Sequence, residues 1–169
     1  MDSYYKTLVI IRHAHRDTSF GRDRDNGLSE KGQLQTKRIL KYFESRFEGE
    51  IPVVMSSPKN RCVETIALIA KSARVELEWS PLLLEHGESK VDNTPGGFQK
   101  RVREFVSWWK KEGPELLVVC SHGDWIPLVV QMLSGANLTL KKGGWVEFES
   151  TNEEIRLTWV LQDFKFLKI

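Results

Sequence analysis

Three apolar runs in this 169-residue chain each end in residues equipped for anion chemistry. Thr7-Leu8-Val9-Ile10-Ile11 runs into Arg12-His13-Ala14-His15-Arg16. Pro52-Val53-Val54-Met55 runs into Ser56-Ser57-Pro58, with Arg61 close behind, and Leu116-Leu117-Val118-Val119-Cys120 runs into Ser121-His122-Gly123. A guanidinium offers a phosphate planar, multidentate N–H donors, which a lysine cannot. A neutral imidazole held among such cations can attack phosphorus and carry the phosphoryl group, dividing a transfer into two steps, while the surrounding positive groups stabilise the group in flight. Brought together, the three ends place Arg12, Arg61, His13 and His122 around one point. Helix N-termini near Pro58 and Asp124 are expected to add backbone N–H groups.

The ends meet if the runs are neighbouring strands of one open α/β sheet, because such sheets bind ligands beyond the carboxyl ends of their strands. Short, continuously apolar, β-branched runs fit strands covered on both faces. Between them lie helical patterns: one after Ser29 with Leu34, Ile39, Leu40, Phe43 and Phe47, stopped by Gly49 and Pro52; one with Val63, Ile66, Ala67, Ile69 and Ala70; one over Phe98 to Lys111, stopped by Gly113-Pro114; and one from Asp124 to about Leu133. Glu76 to Leu84 reads as a short strand leading into an exposed polar loop, His86 to Gly97. Gly144 to Glu149 and Ile155 to Leu161 read as a hairpin turning at Ser150-Thr151-Asn152. The alternation predicts a three-layer α/β/α sandwich with a mostly parallel central sheet, one domain over 1–169.

Composition sets bounds and no more. The hydrophobic share of 40% and charged share of 28% are those of a globular domain, and a net charge of +2 gives no ground for a nucleic-acid or membrane partner. No apolar stretch approaches the roughly 20 residues of a membrane span, and Met1 to Lys6 does not read as a signal peptide. Cys62 and Cys120 lie in apolar segments without CxxC spacing and read as buried reduced thiols, which suits the cytoplasm.

Four motifs in order, Arg12-His13-Ala14, Leu28-Ser29-Glu30-Lys31-Gly32-Gln33, Ser56-Ser57-Pro58-Lys59-Asn60-Arg61 and Ser121-His122-Gly123, resemble the histidine phosphatase (phosphoglycerate mutase-like) superfamily over nearly the whole chain. Leu140 to Phe148 is similar to the corresponding stretch of its small bacterial phosphohistidine phosphatases. The resemblance implies His13 as nucleophile, Arg12 and Arg61 as phosphate-binding arginines, His122 as the second pocket histidine, and Glu85 as proton donor, with no metal and no cofactor. Glu88 and Asp124 are the other carboxylates to weigh as donor. The chain departs from the family in Ala14 for the usual glycine, in His15-Arg16 where mutases carry Glu-Ser, and in Ser19 at about the spacing of a phosphate-contacting asparagine. His15, Arg16 and Ser19 are therefore candidate substrate contacts, with Arg22 and Arg24 adding to a basic cluster.

Only about sixty residues separate Arg61 from His122, which leaves little chain for a lid. A mutase must keep its phosphoenzyme dry, so hydrolysis is expected, and an open pocket suits a phosphorylated protein, in particular a phosphohistidine. A sugar or nucleotide phosphate is the alternative. His13-x-His15-x-Asp17 also fits part of a zinc metallohydrolase signature, although Thr18 follows where that signature needs histidine and the chain has four histidines in all. A non-catalytic phosphate-binding module is a third reading, against which both His13 and His122 stand. The Trp108-Trp109 pair, on a helical pattern, reads as packing.

Overall fold

The computed structural model describes residues 5–169. Its element order is β1 (Lys6–Arg12), α1 (Glu30–Arg46), β2 (Val53–Ser56), α2 (Asn60–Ala73), β3 (Leu77–Trp79), α3 (Gly97–Glu112), β4 (Leu116–Ser121), α4 (Trp125–Ser134), β5 (Trp145–Ser150) and β6 (Ile155–Leu161). The six strands form one sheet in the order β3-β2-β4-β1-β5-β6, parallel across β3, β2, β4 and β1 and antiparallel at β5 and β6.

Strand periodicity divides the core in two. Leu8 and Ile10 of β1, with Leu117 and Val119 of β4, face α3 and α4, whereas Val9, Ile11, Leu116, Val118 and Cys120 face α1 and α2. The runs Leu8–Ile11 and Leu116–Cys120 are continuously apolar because alternate side chains enter cores on opposite faces. The chain lays down α1 and α2 on one face, crosses after β3, and lays α3 and α4 on the other, so β4 enters between β1 and β2.

Register aligns the functional ends. Arg12 pairs with Ser121, and Ser56 with Cys120, so β1, β2 and β4 stop within one residue step of each other. The strand expected over 76–84 is confined to Leu77–Trp79, because Pro81 opens a 3₁₀ turn, Pro81–Leu83, whose cap is the Ser80 hydroxyl. The loop that follows carries a second 3₁₀ turn, Lys90–Asn93. Trp109 is fully buried, and both cysteines are buried and free. No helix among the described residues is long and apolar enough to cross a membrane.

Candidate active site

His13 follows the last residue of β1, and its backbone N–H continues the ladder to the Ser121 carbonyl at 3.0 Å. Its Nδ1 lies 2.9 Å from the Ala14 carbonyl. A carbonyl only accepts, so Nδ1 carries the proton and Nε2 keeps the lone pair. The Ala14 N–H bonds Thr65 Oγ1 on α2 at 2.9 Å, which fixes the turn after β1. The His13 and His122 rings stand 5.6 Å apart between centroids.

Arg12 Nη1 donates to the Leu140 carbonyl at 2.7 Å, and its guanidinium packs flat against Gly123. A Cβ at position 123 would come within 2.7 Å of the Arg12 Cζ, so a side chain after His122 would displace that guanidinium. Arg61, in the first turn of α2, has a side chain 4% exposed. It donates from Nη2 to Glu85 Oε1, and Nη1 lies 3.4 Å from Asp25 Oδ1. Its Nη2 is also 3.4 Å from His122 Nδ1, and Glu85 Oε2 is 4.0 Å from the same nitrogen. Ser57 Oγ meets His122 Nε2 at 2.8 Å. The Nε atoms of Arg12 and Arg61 are buried and, among the described residues, without a hydrogen-bond partner, which leaves each a donor for an anion.

Burial pushes the His13 pKa down to about 4, and the nearby charges of Arg61 and Arg12 push it the same way against the Ala14 hydrogen bond. Burial, then Arg61 and His13, push His122 down to about 2. Both rings are neutral at pH 7, inside a pocket whose charge is supplied by guanidiniums.

The carboxylates separate by position. Glu85 is half-buried against Arg61 and His122, whereas exposed Glu88 pairs with Lys59 at 2.6 Å and exposed Asp124 accepts the His86 N–H at 2.8 Å. His15 Nδ1 is 2.7 Å from the hydroxyl of Ser29, the N-cap of α1, so that ring braces a helix start. Gly32 sits beneath it, where a Cβ would lie 2.1 Å from the His15 carbonyl. Arg16 donates to the carbonyls of Arg22 and Arg24, folding the loop back on itself. Ser19 is exposed and bonds Asp17 through both its N–H and its hydroxyl. His13, His15 and Asp17 thus turn to three different partners, and no cluster of three or more His, Cys, Asp or Glu side chains suited to a metal occurs among the described residues.

Sequence reasoning passed over Asp25, and Asp25 corrects one expectation. Its carboxylate takes the N–H of Asn60 at 2.5 Å and of Arg61 at 3.4 Å, so the start of α2 is capped from a distant loop and is not aimed at the pocket. Nothing local marks an aspartate for that task. Ser57 stood within a quoted motif, and its service to His122 becomes visible only when β2 and β4 are side by side.

Residues 8–94 match the family model described as the histidine phosphatase superfamily (branch 1). A sequence comparison with curated proteins gives no match. Solved structures of the same fold include a mycobacterial glucosyl-3-phosphoglycerate phosphatase in complex with VO3 (18% identity, TM-score 0.72, covering 94% of this chain and 99% of that one). Others are a phosphoglycerate mutase from Bacillus anthracis (17%, TM-score 0.72, 98% and 96%) and a phosphoserine phosphatase mutant from Entamoeba histolytica in complex with phosphoserine (17%, TM-score 0.67, 92% and 96%).

Proposed function

The chain belongs to the histidine phosphatase superfamily, whose members are metal-independent phosphatases and mutases, and on that premise we propose that it hydrolyses phosphoryl groups through a phosphohistidine on Nε2 of His13. One observation carries the reading: a neutral imidazole with its lone pair free at Nε2 stands in a pocket where two buried guanidinium Nε–H groups have no partner among the described residues.

In the first step Nε2 attacks phosphorus and the bond to the leaving oxygen breaks, with Arg12 and Arg61 neutralising the equatorial oxygens. Once the phosphoryl group has drawn Arg61 away from His122 Nδ1, that nitrogen can donate to it with Ser57 donating to Nε2; a hydroxyl can donate or accept, so Ser57 follows either tautomer. Glu85 protonates the leaving group. The phosphoryl group competes with Glu85 for Arg61. In the second step Glu85 takes a proton from water, which attacks the phosphohistidine and releases orthophosphate.

Hydrolysis is favoured over mutase activity by the cover of the pocket, which between β3 and α3 amounts to two short 3₁₀ turns and their loops. The same openness supports a phosphorylated protein, such as a phosphohistidine protein, as substrate. A small phosphorylated metabolite is the second reading, supported by the substrates named for the phosphatases of the same fold. Two buried free thiols support a reducing compartment such as the cytoplasm.

The test is a rapid acid-free quench with labelled phosphomonoester. The wild-type protein should carry base-stable, acid-labile label, assigned by NMR to Nε2, and His13→Ala should carry none. An acid-stable phosphoester would refute His13 as the carrier.

A further inference from the structure

Lys142 is a cation that the proposed chemistry does not use. It sits on the β5 side of β1, whereas His122 and Arg61 approach His13 from the β4 side. Its place is fixed by backbone. The N–H of Gly143 reaches the carbonyls of both Arg12 (3.1 Å) and His13 (3.2 Å), and Gln35 holds the Lys142 carbonyl at 3.1 Å while accepting the His15 N–H at 2.8 Å. The side chain is half-buried, and among the described residues it has neither an ion pair nor a hydrogen bond.

The charged groups that perturb it most all share its sign. After burial, the groups that lower the Lys142 pKa are Arg12, Arg22, Arg16 and Lys31, and Lys142 in turn lowers His13 and His15. Three acids of the loop after β1 and of α2 beside it have partners of their own. Asp17 is bound by Ser19, Asp25 by the start of α2 and Arg61, and Glu64 by the N–H of Leu28. A partly desolvated group of like charges repels itself, and such a group beside a pocket is a candidate anion site. The transferred phosphoryl already has Arg12, Arg61 and two histidines.

We propose that Lys142, with Arg16 and Arg22, binds a second anionic group on the substrate, so that the preferred substrates carry a phosphate or carboxylate besides the phosphoryl group removed. This deepens the phosphatase reading and rests on it. It also favours a compact, doubly anionic metabolite over a protein side chain.

The experiment compares kcat/KM for alkanediol bisphosphates of two to six carbons with that for alkyl monophosphates of equal length. The wild-type protein should favour the bisphosphate at its best length by about tenfold or more, the scale of one charge-assisted contact. Lys142→Gln should bring that ratio close to one, Lys142→Arg should retain most of it, and Lys111→Gln, at the far end of α3, should keep it. A wild-type ratio near one, or a ratio that survives Lys142→Gln, overturns the inference. Calorimetric titration with propane-1,3-bisphosphonate against propylphosphonate reads the same preference without turnover. Absence of the preference there overturns this inference alone, and absence of turnover with the preference kept overturns only the reading of His13 as nucleophile.

Discussion

Glu85 sits where one carboxylate meets Arg61 and lies 4.0 Å from His122 Nδ1, and its proposed task is separable from shape. Glu85→Gln should slow alkyl phosphates by about a hundredfold or more, the usual scale for losing a general acid. 4-Nitrophenyl phosphate, whose leaving group departs unprotonated, should slow far less. Equal losses on both substrates would reduce Glu85 to a spacer. The residue scale was only partly legible beforehand. Arg12, His13, Arg61 and His122 announce themselves because their types are unusual at the ends of apolar runs. Asp25 and Ser57 are ordinary residues whose partners lie on other elements, so spacing carries no sign of them. His15 and Ser19 attracted notice by position, yet the hydrogen bonds of the first go to a helix cap and those of the second to a neighbouring carboxylate.

At the scale of elements, α3 controls the segment that bears Glu85. Arg101 grips Asp92 through Nε at 2.9 Å and Nη2 at 2.7 Å, and donates to the carbonyls of Leu82, Leu84 and Glu85 at 3.1, 2.7 and 3.2 Å. Both side chains of the pair are buried, 3% and 0% exposed. Asp92→Ala would leave a buried guanidinium without its acid and should cost about 3–5 kcal/mol in urea denaturation. It should also depress alkyl phosphate turnover more than nitrophenyl phosphate turnover, because the Glu85 backbone loses its clamp. A variant of unchanged stability would mean that the clamp carries no weight. Periodicity and stop signals placed all four helices and the hairpin, since those depend on local pattern. Residues 76 to 84 read as strand and 86 to 97 as loop, because the 3₁₀ order between 81 and 93 is held by Arg101, a residue of the following helix that looks like any charged helix position. The helix α2 likewise owes its first turn to a carboxylate from a distant loop.

Over the whole molecule, two imidazoles kept neutral by burial make stability depend on pH. Unfolded histidine takes up a proton near pH 6.5, whereas folded His13 resists until about 4 and His122 until about 2. Between these values the unfolded chain binds more protons, so stability is intact above 6.5 and declines as pH falls toward 4. His13 alone accounts for a loss on the order of 3 kcal/mol across that interval. Urea midpoints measured from pH 7.5 to 4.5 should therefore drop, and His13→Gln should flatten the curve; identical midpoints at 7 and 5 would contradict it. The layered sandwich was legible from the alternation of elements, while the strand order was not, because no local signal says that β4 enters between β1 and β2. That insertion has a consequence for biosynthesis. A chain emerging from the ribosome can form α1 and α2 early, but β1 and β2 must wait with a strand-wide slot open between them until residues 116–121 arrive. Until then both edges of β1 and one edge of β2 stand unpaired, so the nascent protein is open to edge-to-edge association before the pocket forms, and shielding that slot is work for a chaperone.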